Sequence, residues 1–258
     1  MKKFKTFHKT WRGRRKENQD NCWSKTFKSR QFVHAIAVVC DGMGGQKGGK
    51  LASKIAIKNV KNYIKNPPND RNEIKLWLTN LLSNLRQEME DEAKKDMSLQ
   101  EMGTTMTLSL MTENHIHIFH IGDSKAYNIE NDKIWQITSD HTALQESIES
   151  GDISEDTTCN SSYASQYASA LTRYLSPGMN FEPDSICVEL SNSNVVFICS
   201  DGLTGTMLER WVTDYEIYKE CTSKSGISKR SIANLMQLAL DNGSTDNLSI
   251  AIIEHKAC

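Results

Sequence analysis

Three features of the sequence predict an α+β fold. Short apolar runs of strand length recur along the chain, neighbouring runs are joined by tight-turn chemistry, and three longer segments carry apolar residues at helical spacing. Turn-linked runs pair antiparallel, and amphipathic helices need a sheet to cover, so the expectation is helices laid outside an antiparallel sheet core. The 258 residues, 38% hydrophobic and 24% charged, suffice for one large domain with a sizeable core.

Taken in order, the basic opening MKKFKTFHKTWRGRRK reads as mature protein and not an address, because no apolar stretch follows it and acids begin at Glu17. Phe32 to Val39 is the first strand. Lys50 to Lys65 is a helix stopped by Pro67 and Pro68, with Gly48 and Gly49 allowing its tight start. Arg71 to Lys95 is a second helix bearing Ile74, Trp77, Leu78, Leu81, Leu82 and Leu85 on one stripe. Thr104 to Met111 and His115 to Ile121 are strands joined through Glu113 and Asn114, and Asn131 with Asp132 turns a further hairpin. Ser150 to Ser169, rich in Ser, Thr, Asn and Asp, is a loop or flap. Ile186 to Leu190, Val195 to Cys199 and Leu248 to Ile253 are the remaining strands. Lys229 to Asn242 is a third helix with Ile232, Leu235, Met236 and Ala239 on one face and Gly243 as its C′ residue.

Composition narrows the function. A formal net charge of −1 argues against a nucleic-acid surface, and no apolar run approaches the roughly 20 residues of a membrane helix. Seven cysteines, odd in number and without a CxxC pair, argue against a disulfide framework or a structural zinc site and for a reducing, cytoplasmic setting. Cys40 and Cys199 each end an apolar run, where Cys serves as a small buried hydrophobe. His115 and His117 share a strand face and have the spacing for a zinc pair, but solvent-facing strand histidines are the commoner case.

Four strings, AVVCDG, FHIGDS, VFICSDG and STDNLSIAI, set an Asp at the end or beginning of an apolar strand: Asp41, Asp123, Asp201 and Asp246. Any one of them is explained as a turn residue. If the strand ends share one side of a sheet, however, the four converge where their repulsion is severe unless cations fill the space, and hard oxygen ligands select magnesium or manganese. Gly follows both Asp41 and Asp201, and Gly42 would let its carbonyl approach an ion with no side chain intervening. Asp20 is a fifth acid, just after the basic run. Arg15 has the planar fork suited to phosphate oxygens, although spacing alone does not separate that role from a solvated charge; Arg12 and Arg14 read as solvated.

Eight strings in order resemble the metal-dependent type 2C protein phosphatases, especially their compact bacterial members. They are GRRKENQD (13–20), VVCDGMGG (38–45), GTTMTLSLM (103–111), HIGDSKAY (120–127), TSDHTALQE (138–146), ALTRYLSPG (170–178), FICSDGLTG (197–205) and GSTDNLSIAII (243–253). The resemblance implies a single domain over residues 1–258, a four-layer αββα sandwich of two antiparallel sheets flanked by helices, with a flap at about 142–172. It further implies that Asp41 bridges two Mg²⁺ or Mn²⁺ ions and that the Gly42 carbonyl, Asp201 and Asp246 complete their first sphere. By the same likeness Asp20 holds the second ion through waters, Asp123 with Asp201 forms a third, weaker site, Arg15 binds the substrate phosphate, and His141 braces the loop after its strand.

The activity so implied is hydrolysis of phosphoserine and phosphothreonine by a hydroxide shared between the two ions, with no phosphoenzyme. Met43 stands where many eukaryotic members carry His, and Met cannot donate a proton, so the leaving group's proton is expected from a metal-bound water. The expected partners are phosphoproteins made by Ser/Thr kinases of the same cell, and the expected state is a monomer. A catalytically silent, phosphoprotein-binding relative is the alternative, but its usual sign is loss of a metal acid, and all are present. A nuclease or small-phosphoester hydrolase would call for a basic or aromatic channel that the sequence does not show.

Overall fold

The computed structural model describes residues 3–256 except 30–31, 44, 65–66, 69–70, 155–163, 165–166, 181 and 224–225. Two five-stranded antiparallel sheets form its centre. The first, in the order β1-β12-β11-β8-β9, comprises β1 (Lys3–Trp11), β12 (Leu248–Lys256), β11 (Ser193–Cys199), β8 (Lys125–Glu130) and β9 (Lys133–Gln136). The second, in the order β10-β7-β6-β3-β2, comprises β10 (Asp184–Glu189), β7 (His115–Ile121), β6 (Met106–Met111), β3 (Phe32–Cys40) and β2 (Asn21–Ser29). A two-residue pair, β4 (Gly42–Met43) with β5 (Gly103–Thr104), closes the lower end of the second sheet.

Side-chain alternation in the central strands builds four layers. In β3, Ile36 and Val38 face α1 (Gly45–Tyr63) and α2 (Arg71–Lys95), meeting Ala56, Val60, Leu78, Leu81 and Leu82. Ala35, Ala37 and Val39 of the same strand turn the other way, onto Val196, Ile198, Ala251 and Ile253 of the first sheet. In β12, Ile250 and Ile252 face α5 (Asp214–Cys221) and α6 (Lys229–Asp241), where Ile217, Leu235, Met236 and Ala239 cover them. Strands buried on both faces read as continuous apolar runs, which is why β3, β11 and β12 stood out in the sequence. The expected α+β sandwich is the one observed.

Several boundaries differ from expectation. Helix α1 begins at Gly45, so Gly48 and Gly49 lie inside it, not ahead of it. Strand β1 was hidden in the basic opening because it is an edge strand exposed on most of its length, with Phe4 its only fully buried side chain. The short helices α3 (Ala143–Glu149), α4 (Asp201–Thr204) and α5 carry too few turns for a stripe. Helix α5 did have a readable signal: Thr213 and Glu216 form a reciprocal capping box in the string TDYE. Asn131 and Asp132, both at positive φ (48° and 60°), make the predicted β8–β9 turn, and Gly243 at φ +109° follows α6 as expected. His117 is buried, not solvent-facing.

Of the flap segment, residues 155–163 and 165–166 lie outside the described residues. Around them, Leu144, Ala164 and Ala168 form a small core of their own.

Candidate metal centre

Strand direction brings the acids together. Because β2 and β3 pair antiparallel, Asn21 opposite Cys40, the residue before β2 and the residue after β3 are neighbours: Asp20 and Asp41. Strand β7 runs parallel to β3, two antiparallel steps away through β6, so Asp123 after β7 falls at the same end. In the other sheet Cys199 pairs Ile250, which sets Asp201 beyond β11 beside Asp246 ahead of β12. Arg15, Asp41, Gly42, Asp123, Asp201 and Asp246 line one open cavity of ≈470 Å³, together with Met43. Asp20 does not line it. It is buried beside Asp41, with Oδ2 accepting from Ser200 Oγ at 2.8 Å and Oδ1 without a hydrogen-bond partner.

The backbone at Asp41 is clamped. Its N–H donates to Thr105 Oγ1 at 2.9 Å, and its carbonyl accepts from Thr105 N–H at 2.8 Å and Thr104 Oγ1 at 2.9 Å. Thr105 Oγ1 also meets Ser124 Oγ at 2.9 Å, tying this corner to the turn that carries Asp123. That turn is held from the other side by His141, whose Nδ1 accepts from Gly122 N–H at 3.1 Å; Nε2 therefore carries the proton and donates to Asp184 at 3.1 Å. The bracing role implied for His141 thus has a specific geometry. Asn247 staples the loop that bears Arg15, donating to the carbonyls of Arg12 (2.7 Å) and Glu17 (2.9 Å) and accepting from Gln19 N–H (2.8 Å).

The glycine beside Asp41 has a packing reason. A Cβ on Gly42 would stand 2.2 Å from the carbonyl oxygen of Gly49, and one on Gly49 would stand 2.6 Å from Gly42 C, so the loop and helix α1 touch backbone to backbone. Gly42→Ala and Gly49→Ala are each expected to destabilise the protein by about 1–3 kcal/mol through overpacking. Thermal melts of the two variants check this, and unchanged melting would show that the contact is relaxed in solution.

Burial and mutual repulsion raise the proton affinity of Asp20, Asp41, Asp123 and Asp201 in the absence of cations. The Asp41 carboxyl is pushed well above the usual range, first by burial and then by Asp20, Asp201, Asp123 and Asp246. Burial, with Asp201 nearby, raises Asp20 to about 7 against the hydrogen bond from Ser200. Asp123 is raised well above its ordinary value by burial and by Asp201, and Asp201 is raised by burial and by Asp246. Lys125, whose Nζ is 3.0 Å from Asp140 in a buried ion pair, offsets part of the shift at Asp123 and Asp201 from outside the cavity wall. Arg15 is the cation that does reach the cluster. Its Nε and Nη2 fork onto Asp246 Oδ1 and Oδ2 at 2.9 and 2.6 Å, and this pairing raises the guanidinium's own affinity for its proton.

No three His, Cys, Asp or Glu side chains among the described residues already stand as a chelate. The donor set nonetheless fits a hard divalent cation: five carboxylates, one with an unpartnered buried oxygen, against a single guanidinium. Cys40 and Cys199 lie buried beside this set with thiols raised, Cys199 to about 12, which leaves them inert hydrophobes as expected.

The model of the family described as Protein phosphatase 2C matches residues 11–237. The chain belongs to that family. The phosphatase is 30% identical over 249 residues to the serine/threonine phosphatase stp of Listeria innocua, covering 95% of this chain and 94% of that protein. The crystal structure of the serine/threonine phosphatase Stp1 from Staphylococcus aureus superimposes with a TM-score of 0.80 at 28% identity, over 98% of this chain and 94% of that one. The catalytic domain of the serine/threonine protein phosphatase PstP in complex with two manganese ions has the same fold, with a TM-score of 0.78 at 24% identity over 98% of each chain. The protein is a protein serine/threonine phosphatase, and its substrates are phosphoproteins. Among the described residues no helix is long and apolar enough to cross a membrane.

The residues that sequence reasoning singled out in the acid strings come together here. Those it missed are the supports: Thr105, Ser200 and Asn247. Asn247 had a weak signal in its place next to Asp246, whereas its bonds to Arg12 and Glu17 span 235 and 230 residues and leave no local trace.

Proposed function

We propose that this phosphatase, taken as one catalytic unit over its length, hydrolyses phosphoserine and phosphothreonine with two Mg²⁺ or Mn²⁺ ions. Asp41, Asp201, Asp246 and the Gly42 carbonyl would hold them, with Asp20 in support and Asp123 with Asp201 offering a third position. The observation that carries the reading is the convergence of five carboxylates, four of them buried and raised by burial and repulsion, at one end of the two sheets. The manganese-bound relative of the same fold supports it.

When bound, such a pair of ions supplies a water acidified for direct attack on phosphorus and positive charge for the phosphoryl oxygens. Hydrolysis adds the water oxygen to phosphorus, breaks the bond from phosphorus to the serine or threonine oxygen, and returns a proton to that oxygen. The chain's own part is positioning. The Thr104 and Thr105 clamps fix Asp41, and Ser200 orients Asp20. Arg15 lies at the cavity wall with its side chain 57% exposed and its fork on Asp246, the cation placed to transfer that fork to a phosphoryl group. Among the described lining residues there is no His or Cys, in keeping with attack by water and with Met43 in place of a histidine acid.

Turnover of a phosphothreonine peptide is expected to stop on treatment with EDTA and to return on adding Mn²⁺ or Mg²⁺. Undiminished turnover in the chelator would overturn the metal reading.

A further inference from the structure

The acid cavity does not end at the acids. A hollow of ≈410 Å³ shares Arg15, Ser169, Asp201 and Asp246 with it, and a further cavity of ≈480 Å³ shares Thr206 and Glu209 with that hollow. The three share walls in turn, from the proposed reaction centre along the loop 205–213 that joins α4 to α5, as a stepped groove.

This loop is firmly built. Gly205, at φ +81°, gives its carbonyl to the buried Lys125 Nζ at 2.9 Å, and a Cβ there would stand 2.4 Å from the Glu209 carbonyl oxygen. Trp211 N–H donates to Thr204 O at 3.2 Å, and Asn242 Nδ2 holds Trp211 O at 2.6 Å. Lys125 and Asp140 cancel each other in their buried pair, so the charges left facing the far cavity are the exposed Glu209, Arg210 and Asp214. Two carboxylates against one guanidinium leave an excess of negative charge, and among the described residues neither Glu209 nor Asp214 is in an ion pair. Leu208 and Tyr215, 37% and 69% exposed, add apolar surface along the same path.

We infer that the polypeptide flanking the phosphorylated residue lies in this groove and that Glu209 and Asp214 select a Lys or Arg side chain on it. A protein substrate must lead its chain out of the acid cavity, and this groove shares Asp201 and Asp246 with that cavity. Glu209, Asp214 and the aromatic Tyr215 line the same far cavity, a wall whose charge and ring both favour a cation. The inference rests on the acid cavity being the reaction centre.

The test uses the full chain with Mn²⁺ and phosphothreonine peptides that carry a single Arg, Ala or Glu at each of the nearest flanking positions. Each rate is divided by the same variant's rate on p-nitrophenyl phosphate, so that changes at the reacting centre cancel. At one or more positions the Arg peptide is expected to exceed the Glu peptide in normalised kcat/KM by about fivefold. Glu209→Lys combined with Asp214→Asn is expected to erase or reverse that ratio. Hydrolysis of p-nitrophenyl phosphate with no preference for Arg, or with a preference unmoved in the double variant, overturns the groove while sparing the reaction centre. Failure to hydrolyse either kind of substrate overturns both.

Discussion

Asp41→Asn is expected to lower kcat/KM on a phosphothreonine peptide at saturating Mn²⁺ by at least about a hundred- to a thousandfold. Asp41 is the carboxylate that faces all four others, so its charge is the one most shared by any ion in the cluster. The amide keeps the shape and removes the charge. Its neighbours Thr104 and Thr105 hold the backbone and not the side chain, so the loop has no reason to move. The metal-free variant should melt no lower than wild type, because burial and neighbouring acids already disfavour the charged carboxylate. Steady-state kinetics and melts in EDTA separate the two effects. Asp201→Asn should behave alike; wild-type turnover in both variants would end the assignment of these residues.

Relative to the Mn²⁺-loaded protein, the metal-free protein should lose stability as the pH rises toward about 7. Asp20 titrates near 3.8 when unfolded but holds its proton to about 7 when folded, and Asp41 and Asp123 are shifted upward well beyond their ordinary value. Between the unfolded value of Asp20 and about 7 the acids hold more protons folded than unfolded, so their contribution to stability falls with pH by about 1.4 kcal/mol per pH unit for each proton held. His8, His34, His120 and His141 are all lowered from 6.5, so they add stability as the pH rises through that value. They do so in EDTA and in Mn²⁺ alike, and the difference between the two conditions isolates the acids. Asp184, Glu88 and Glu149 are lowered, and their contribution is lost only as the pH falls below the ordinary carboxylate range. Denaturant titrations in EDTA and in Mn²⁺ at a series of pH values below and through about 7 give the two slopes. Equal slopes in the two conditions would mean that the acids are already compensated without a cation.

The legibility of the fold followed burial. Strands β3, β11 and β12 lie between layers and announce themselves as apolar runs, whereas β1, with one fully buried residue, looks like a charged tail. Helix α2 shows its stripe over 25 residues; α4 is a single turn whose place is fixed by Asp201 itself.

For the site, the sequence by itself pointed to four of the acids, because a carboxylate at the edge of an apolar strand is a local pattern. It also placed Arg15 near one of them and, through ordered resemblance, pointed to the family. Tertiary structure decided what no local pattern encodes. It showed that antiparallel pairing delivers Asp20 to Asp41 and Asp201 to Asp246, and that Gly42 is glycine because Gly49 arrives against it. It put the fork of Arg15 on Asp246, 231 residues away. It also set the acid cavity wall to wall with hollows along the loop 205–213. The physical reason is common to all of these: contacts between backbones and charges distant in the chain depend on how the two sheets stack, and stacking is a property of the whole core.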